Sequence, residues 1–213
     1  MIDTIIFDAE GVVFDSQMLW DQGQVEFLGR REILYDRATI KHLLTGRSLV
    51  EGARVMQEVY GFPGNPEELA YERLNIMKEL FKTKLSFMDG FISFHHAVKE
   101  NYKICLATSL ATELLDIAEN TLNLSAAFFG NVFSIKDVGG VGKPQPDIFL
   151  YAAEKLQSPT KNCLVIEDAP LGVEAAKRAG MPCVALTTTY GREKLSQADL
   201  VVDSFAQIEL GKF

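Results

Sequence analysis

Apolar residues along this chain follow two rhythms. Residues 2–7 (Ile-Asp-Thr-Ile-Ile-Phe) form a short, β-branched run that ends at Asp8 and meets Gly11. That is the pattern of a buried strand running into a loop. Similar runs recur at Lys103–Ala107, Cys163–Ile166 and Pro182–Leu186, with weaker ones at Ala127–Phe133 and Leu200–Val202. Each is short and almost continuously apolar, as strands covered on both faces should be. Between them the apolar spacing becomes helical. Ala111–Leu122, Pro146–Leu156 and Pro170–Ala179 predict helices, the last opened by a proline and stopped at Gly180. Strand alternating with helix predicts an α/β fold with a doubly wound parallel sheet.

Residues 16–86 break that rhythm. Glu26–Leu34, Ala38–Leu44, Leu49–Tyr60 and Pro66–Leu85 read as helices, separated by Gly46 and by the Gly61-Phe62-Pro63-Gly64-Asn65-Pro66 turn. No strand pattern interrupts them. The expected organisation is an α/β core of residues 1–15 and 88–213, with a small helical domain inserted over 16–87.

Composition narrows the class. The chain has 213 residues, 47% hydrophobic and 23% charged, which is ordinary for a globular protein. The 21 basic residues against 29 acidic ones leave a net charge of −8. That argues against a general nucleic-acid binder, which needs a basic face. Cys105, Cys163 and Cys183 are odd in number and contain no CxxC pair. This excludes a disulfide framework and a zinc ribbon, and fits a reducing, cytoplasmic setting. They read as small core residues. No apolar stretch approaches the ~18 residues of a membrane span, and the N-terminus lacks the basic region of a signal peptide. An acidic protein can still take an anionic substrate where a local device overcomes the overall charge.

Candidate chemistry gathers where the strands end, since ligands of such sheets sit at the carboxyl ends of the strands. Asp8 and Glu10 follow the first strand, Thr108 and Ser109 the second, and Glu167-Asp168 a later one; Lys143 lies in a Gly/Pro loop. Each has a plain structural use as a turn former, helix cap or solvated residue. As a set, clustered acids need a cation, because like charges in a cleft repel. Ligands that are all oxygen point to a hard ion such as magnesium.

IIFDAEGVVFDS, CLATS, GVGKPQPDIF and VIEDAPLGVEAAKRAGM, in that order over residues 2–181, resemble the four motifs of the haloacid dehalogenase-like hydrolase superfamily. They are most similar to its helical-capped group of β-phosphoglucomutase and phosphoglycolate phosphatase. The resemblance implies a Mg²⁺-dependent phosphomonoester hydrolase of a small phosphorylated metabolite, acting through an aspartyl-phosphate. It implies that Asp8 is the nucleophile, that Thr108 holds the transferring group beside Ser109, and that Lys143 neutralises charge. Asp168 would hold the ion with Asp8 and the main-chain carbonyl of Glu10, and Glu167 would support it through water. Leu44-Thr45-Gly46-Arg47-Ser48 resembles the cap loop of this group, so Gly46 and Arg47 are candidate substrate contacts, Arg47 gripping a second anionic group. A monomer or weak dimer is expected, with no nucleic-acid or membrane partner.

Two positions depart from the group. The usual acid/base Asp is Glu10, whose extra methylene shifts the carboxylate by about 1.5 Å, the length of a C–C bond. Where β-phosphoglucomutase carries a linker His, the matching residue is Trp20. Both favour hydrolysis over a phosphomutase. Glu10 alone leaves open a catalytically impaired, ligand-binding member. Lys78, Lys82 and Lys84 read as a solvated helix face, and His95-His96 as exposed helix residues.

Overall fold

The computed structural model describes residues 1–44 and 47–213. The chain forms two compact units, Met1–Asp15 with Ser86–Phe213, and Ser16–Leu85.

The larger unit is built on six parallel strands: β1 (Thr4–Phe7), β2 (Lys103–Thr108), β3 (Val132–Ser134), β4 (Cys163–Glu167), β5 (Cys183–Leu186) and β6 (Leu200–Val202). Their order is β3-β2-β1-β4-β5-β6. β1 lies centrally, with Ile6 paired to Cys105 on one side and to Val165 on the other. Successive side chains of a strand point to opposite faces, and the apolar runs feed two layers. On one face Ile6, Cys105, Val165 and Cys183 pack with Ile148, Ala152 and Ala176. These last belong to helices over Asp147–Lys155 and Pro170–Arg178. On the other, the Phe7 ring meets Phe91 at 5.8 Å and Phe128 at 5.7 Å. The doubly wound α/β class read from the sequence is the observed one.

The helical unit contains α1 (Gln17–Gly29), α2 (Arg37–Leu44), α3 (Leu49–Tyr60) and α4 (Pro66–Lys84). Ser48 starts α3 with a capping box to Glu51, and Asn65 caps α4 by accepting from Glu67 and Glu68. The sheet unit adds α5 (Phe91–Val98), α6 (Thr112–Leu122), α7 (Leu124–Ala127), α8 (Asp147–Lys155) and α9 (Pro170–Arg178). No helix of the described residues is long and apolar enough to cross a membrane.

Three expectations are corrected. The strand expected over Ala127–Phe133 is only Val132–Ser134, because Phe129 and Gly130 take positive φ (54° and 81°) and turn the chain after α7. The first helix of the small unit spans Gln17–Gly29 rather than Glu26–Leu34. Its buried side includes Gly23 and Gln24, which blurs the apolar stripe, and Glu32 turns left-handed at φ 58° just beyond it. His95 is buried, with Nε2 2.9 Å from Ala127 O and its ring 5.5 Å from Phe91, while His96 is exposed. Lys82 and Lys84 are exposed, Lys78 half-buried, and all three cysteines are buried.

Asp199 joins α9, β5 and β6. It accepts from Lys177 at 2.8 Å and from the Cys183 N–H at 2.8 Å. Burial pushes its carboxyl up, but those two donors outweigh burial and hold it below its ordinary value. A depressed folded pKa stabilises the fold above the unfolded pKa of about 3.9, and that contribution is lost as pH falls through the folded value. Asp199→Ala leaves the Cys183 N–H unpaired and is expected to cost about 1–3 kcal/mol at neutral pH. Urea unfolding should show the gap to wild type narrowing below about pH 4.

Candidate active site

The ends of β1 and β4 are adjacent, and this is where the strand order reverses, the place ligands occupy in open α/β sheets. Phe7 pairs with Ile166, and the Asp8 N–H donates to Ile166 O at 2.9 Å. The next side chains, Asp8 and Glu167, therefore emerge together, with Asp168 beside them. Asp8, Glu167 and Asp168 are 8%, 1% and 4% exposed, so water screens them little. Each offers an oxygen within 4.8 Å of the others.

Lys143 enters from the loop between β3 and α8. Its Nζ donates to Asp8 Oδ1 and, at 2.6 Å, to Glu167 Oε1. The Phe149 ring lies 4.8 Å from it. The other oxygen of Glu167 accepts the N–H groups of Asp168 and Ala169 at 2.8 and 3.0 Å. Glu167 thus grips the lysine with one oxygen and the start of α9 with the other.

Three carboxylates face one ammonium. In a lone ion pair the carboxylate would fall in pKa and the lysine would rise. Here both rise. Burial pushes Asp8 up to about 7; Lys143 pulls it down, but Glu167 and Glu10 add repulsion. Burial, Glu167 and Asp8 raise Asp168 well above the carboxylate range. Burial alone would lower Lys143, yet Asp8 and Glu167 outweigh it and raise it. The cluster is short of positive charge, and its donors are all hard oxygens, which fits a divalent cation such as Mg²⁺.

Two glycines make the cluster possible. A methyl group on Gly11, which sits at φ +73°, would overlap the Asp168 carboxylate, and one on Gly172 would overlap that of Glu167.

The haloacid dehalogenase-like hydrolase family model matches residues 2–180. The chain belongs to the haloacid dehalogenase-like hydrolases. It is similar to (DL)-glycerol-3-phosphatase 2 of Arabidopsis thaliana, 31% identical over 86% of this chain and 78% of that one. It is similar to Drosophila melanogaster "Probable pseudouridine-5'-phosphatase", 33% identical over 98% and 92%. Among solved structures, β-phosphoglucomutase from Clostridium difficile aligns with a TM-score of 0.76 and 28% identity, over 100% of this chain and 95% of that one.

For this haloacid dehalogenase-like hydrolase, the structure brings Asp8, Lys143, Glu167 and Asp168 together. Glu10 lies two residues beyond Asp8, half-buried in the β1 turn. Thr108, at the end of β2, is buried; its Oγ1 accepts the Leu110 N–H at 3.0 Å, which leaves its O–H to donate. It does not cap α6, whose N-cap residue is Ala111 and which has no side-chain cap. Ser109 is exposed at the same edge. Arg47 is exposed just ahead of α3 in the helical unit, and Gly46 lies outside the described residues.

Sequence reasoning passed over four residues here. Phe149 and Gly172 looked like ordinary helix positions, and their closeness to the acids and lysine depends on the fold. Thr188 and Thr189 come after β5, and a threonine run after a strand was the available signal.

Gly172→Ala is expected to cost about 1–3 kcal/mol by overpacking against Glu167. Gly211→Ala, with nothing within 4 Å of the added methyl, should stay within about 0.5 kcal/mol. Thermal unfolding of the two variants side by side checks this.

Proposed function

We propose that this hydrolase is a Mg²⁺-dependent phosphatase of a small phosphorylated metabolite. The observation that carries the reading is Lys143 held between Asp8 and Glu167, with Asp168 adding a third carboxylate to a site short of positive charge. The named activities of the Arabidopsis and Drosophila relatives support the phosphate ester as substrate class. Asp8 and Asp168, with the Glu10 carbonyl, would hold the ion, and Glu167 would support it. When bound, Mg²⁺ supplies the positive charge that lets a carboxylate approach a phosphate and that offsets charge on the transferring group.

The protein's own groups then divide the work. A carboxylate oxygen of Asp8 attacks phosphorus as the ester P–O bond breaks, forming an aspartyl-phosphate and releasing the alcohol. Glu10 gives a proton to the leaving oxygen, then takes one from the water that attacks phosphorus and restores Asp8. Lys143 balances charge on Asp8 and the phosphoryl oxygens, and the Thr108 hydroxyl donates to one of them.

The similarity to β-phosphoglucomutase gives a mutase reading some weight. Glu10 and Trp20 favour hydrolysis, and release of inorganic phosphate separates the two.

Across a panel of phosphorylated metabolites, phosphate release should need Mg²⁺, stop in EDTA and vanish in Asp8→Asn. Activity that survives EDTA would defeat the metal reading, and an active Asp8→Asn the nucleophile. Shortening the acid/base by Glu10→Asp should raise turnover about tenfold or more, since an error of about 1 Å can cost on the order of 10²-fold. A fall in turnover would show that Glu10 is fitted to its substrate.

A further inference from the structure

The loop after β5 carries three consecutive threonines, and each hydroxyl goes somewhere different. Thr187 Oγ1 donates to Asp203 Oδ1 at 2.7 Å, just past β6. Thr188 Oγ1 donates to Gly11 O at 2.6 Å, in the turn that carries Glu10. The Thr189 hydroxyl lies beside the Asp168 carboxylate, both of them against Gly11. These contacts converge on one point: a methyl group on Gly11 would lie 2.9 Å from Thr189 Oγ1 and overlap Asp168 Oδ2. Gly11 is held from its other side as well, its N–H donating to Phe14 O at 2.9 Å.

A carboxylate on a short side chain rotates about two bonds. A hydrogen bond to one oxygen restrains that rotation and leaves the second oxygen aimed. Partners of this kind orient metal ligands, and their loss commonly costs 10–100-fold in affinity.

We propose that Thr189 is a positioning residue that aims Asp168 at a divalent cation, and that Thr188 pins the same loop to the Glu10–Gly11 turn. This rests on the acidic cluster being a cation site. Holding Asp168 before the ion arrives removes an ordering cost from binding. Pinning Gly11 keeps the Glu10 backbone in register with Asp168.

Isothermal titration calorimetry with MgCl₂ tests this on the full chain, alongside the thermal midpoint with and without MgCl₂. Thr189→Val should raise the Mg²⁺ Kd about tenfold or more and shrink the Mg²⁺-induced rise in midpoint. Thr189→Ser, which restores the hydroxyl, should return both to near wild type. Thr188→Val should weaken Mg²⁺ binding less than Thr189→Val. At saturating Mg²⁺ the kcat of Thr189→Val should recover, which separates aiming the ligand from general damage. If the valine variant does not fold, Thr189→Ala gives the same comparison. A folded variant without the hydroxyl that binds Mg²⁺ as wild type does overturns the proposal alone. A wild-type chain that binds no Mg²⁺ overturns the cation-site reading and the proposal with it.

Discussion

Everything at this sheet edge answers to one electrostatic constraint: three buried carboxylates share a single ammonium. Lys143 bridges Asp8 and Glu167, which come from neighbouring strands. The bridge exists because parallel pairing of β1 with β4 delivers both acids at the same level. Breaking such a buried arrangement from one side would leave an uncompensated charge in a poorly screened place. The arrangement is also incomplete by itself, since Asp8 and Asp168 are both pushed toward their neutral forms. A site that strains to shed negative charge is one that gains from taking up a cation, and a cation is what a phosphate dianion needs in order to approach a carboxylate.

Close approach of like charges has a steric side as well. The acids sit where backbone would ordinarily carry side chains, and Gly11 and Gly172 leave that volume open. Glu167 shows how much one residue can be asked to do. One oxygen holds the lysine, and the other satisfies N–H groups at the start of α9, donors that a helix leaves without internal partners. The same carboxylate therefore starts a helix and orients Lys143.

The sheet was legible because buried parallel strands are nearly continuous in apolar residues, and β1, β2, β4 and β5 have that character. β3 was misplaced because Phe128 and Phe129 look like strand residues. Phe128 instead packs against Phe7, and Phe129 turns left-handed. The first helix of the small unit was blurred by Gly23 and Gln24, which are buried without being apolar. His95 reads as polar, yet its ring joins the aromatic layer and its nitrogen finds a carbonyl. At the site, the acids and Lys143 stood out because a parallel sheet gathers the residues beyond its strand ends on one edge. The work of Thr188 and Thr189 was hidden, since a hydroxyl after a strand has many local uses, and their partners lie far away in sequence.

The three cysteines have a consequence outside catalysis. Cys105, Cys163 and Cys183 sit on three strands of one sheet, packed in the same apolar layer. Burial pushes all three thiols up, Cys163 to about 11. Only the thiolate is a strong nucleophile, so the folded core is guarded against oxidants and alkylating reagents alike. The rate at which those thiols react therefore becomes a clock for the opening of the sheet, built into the chain without any added label.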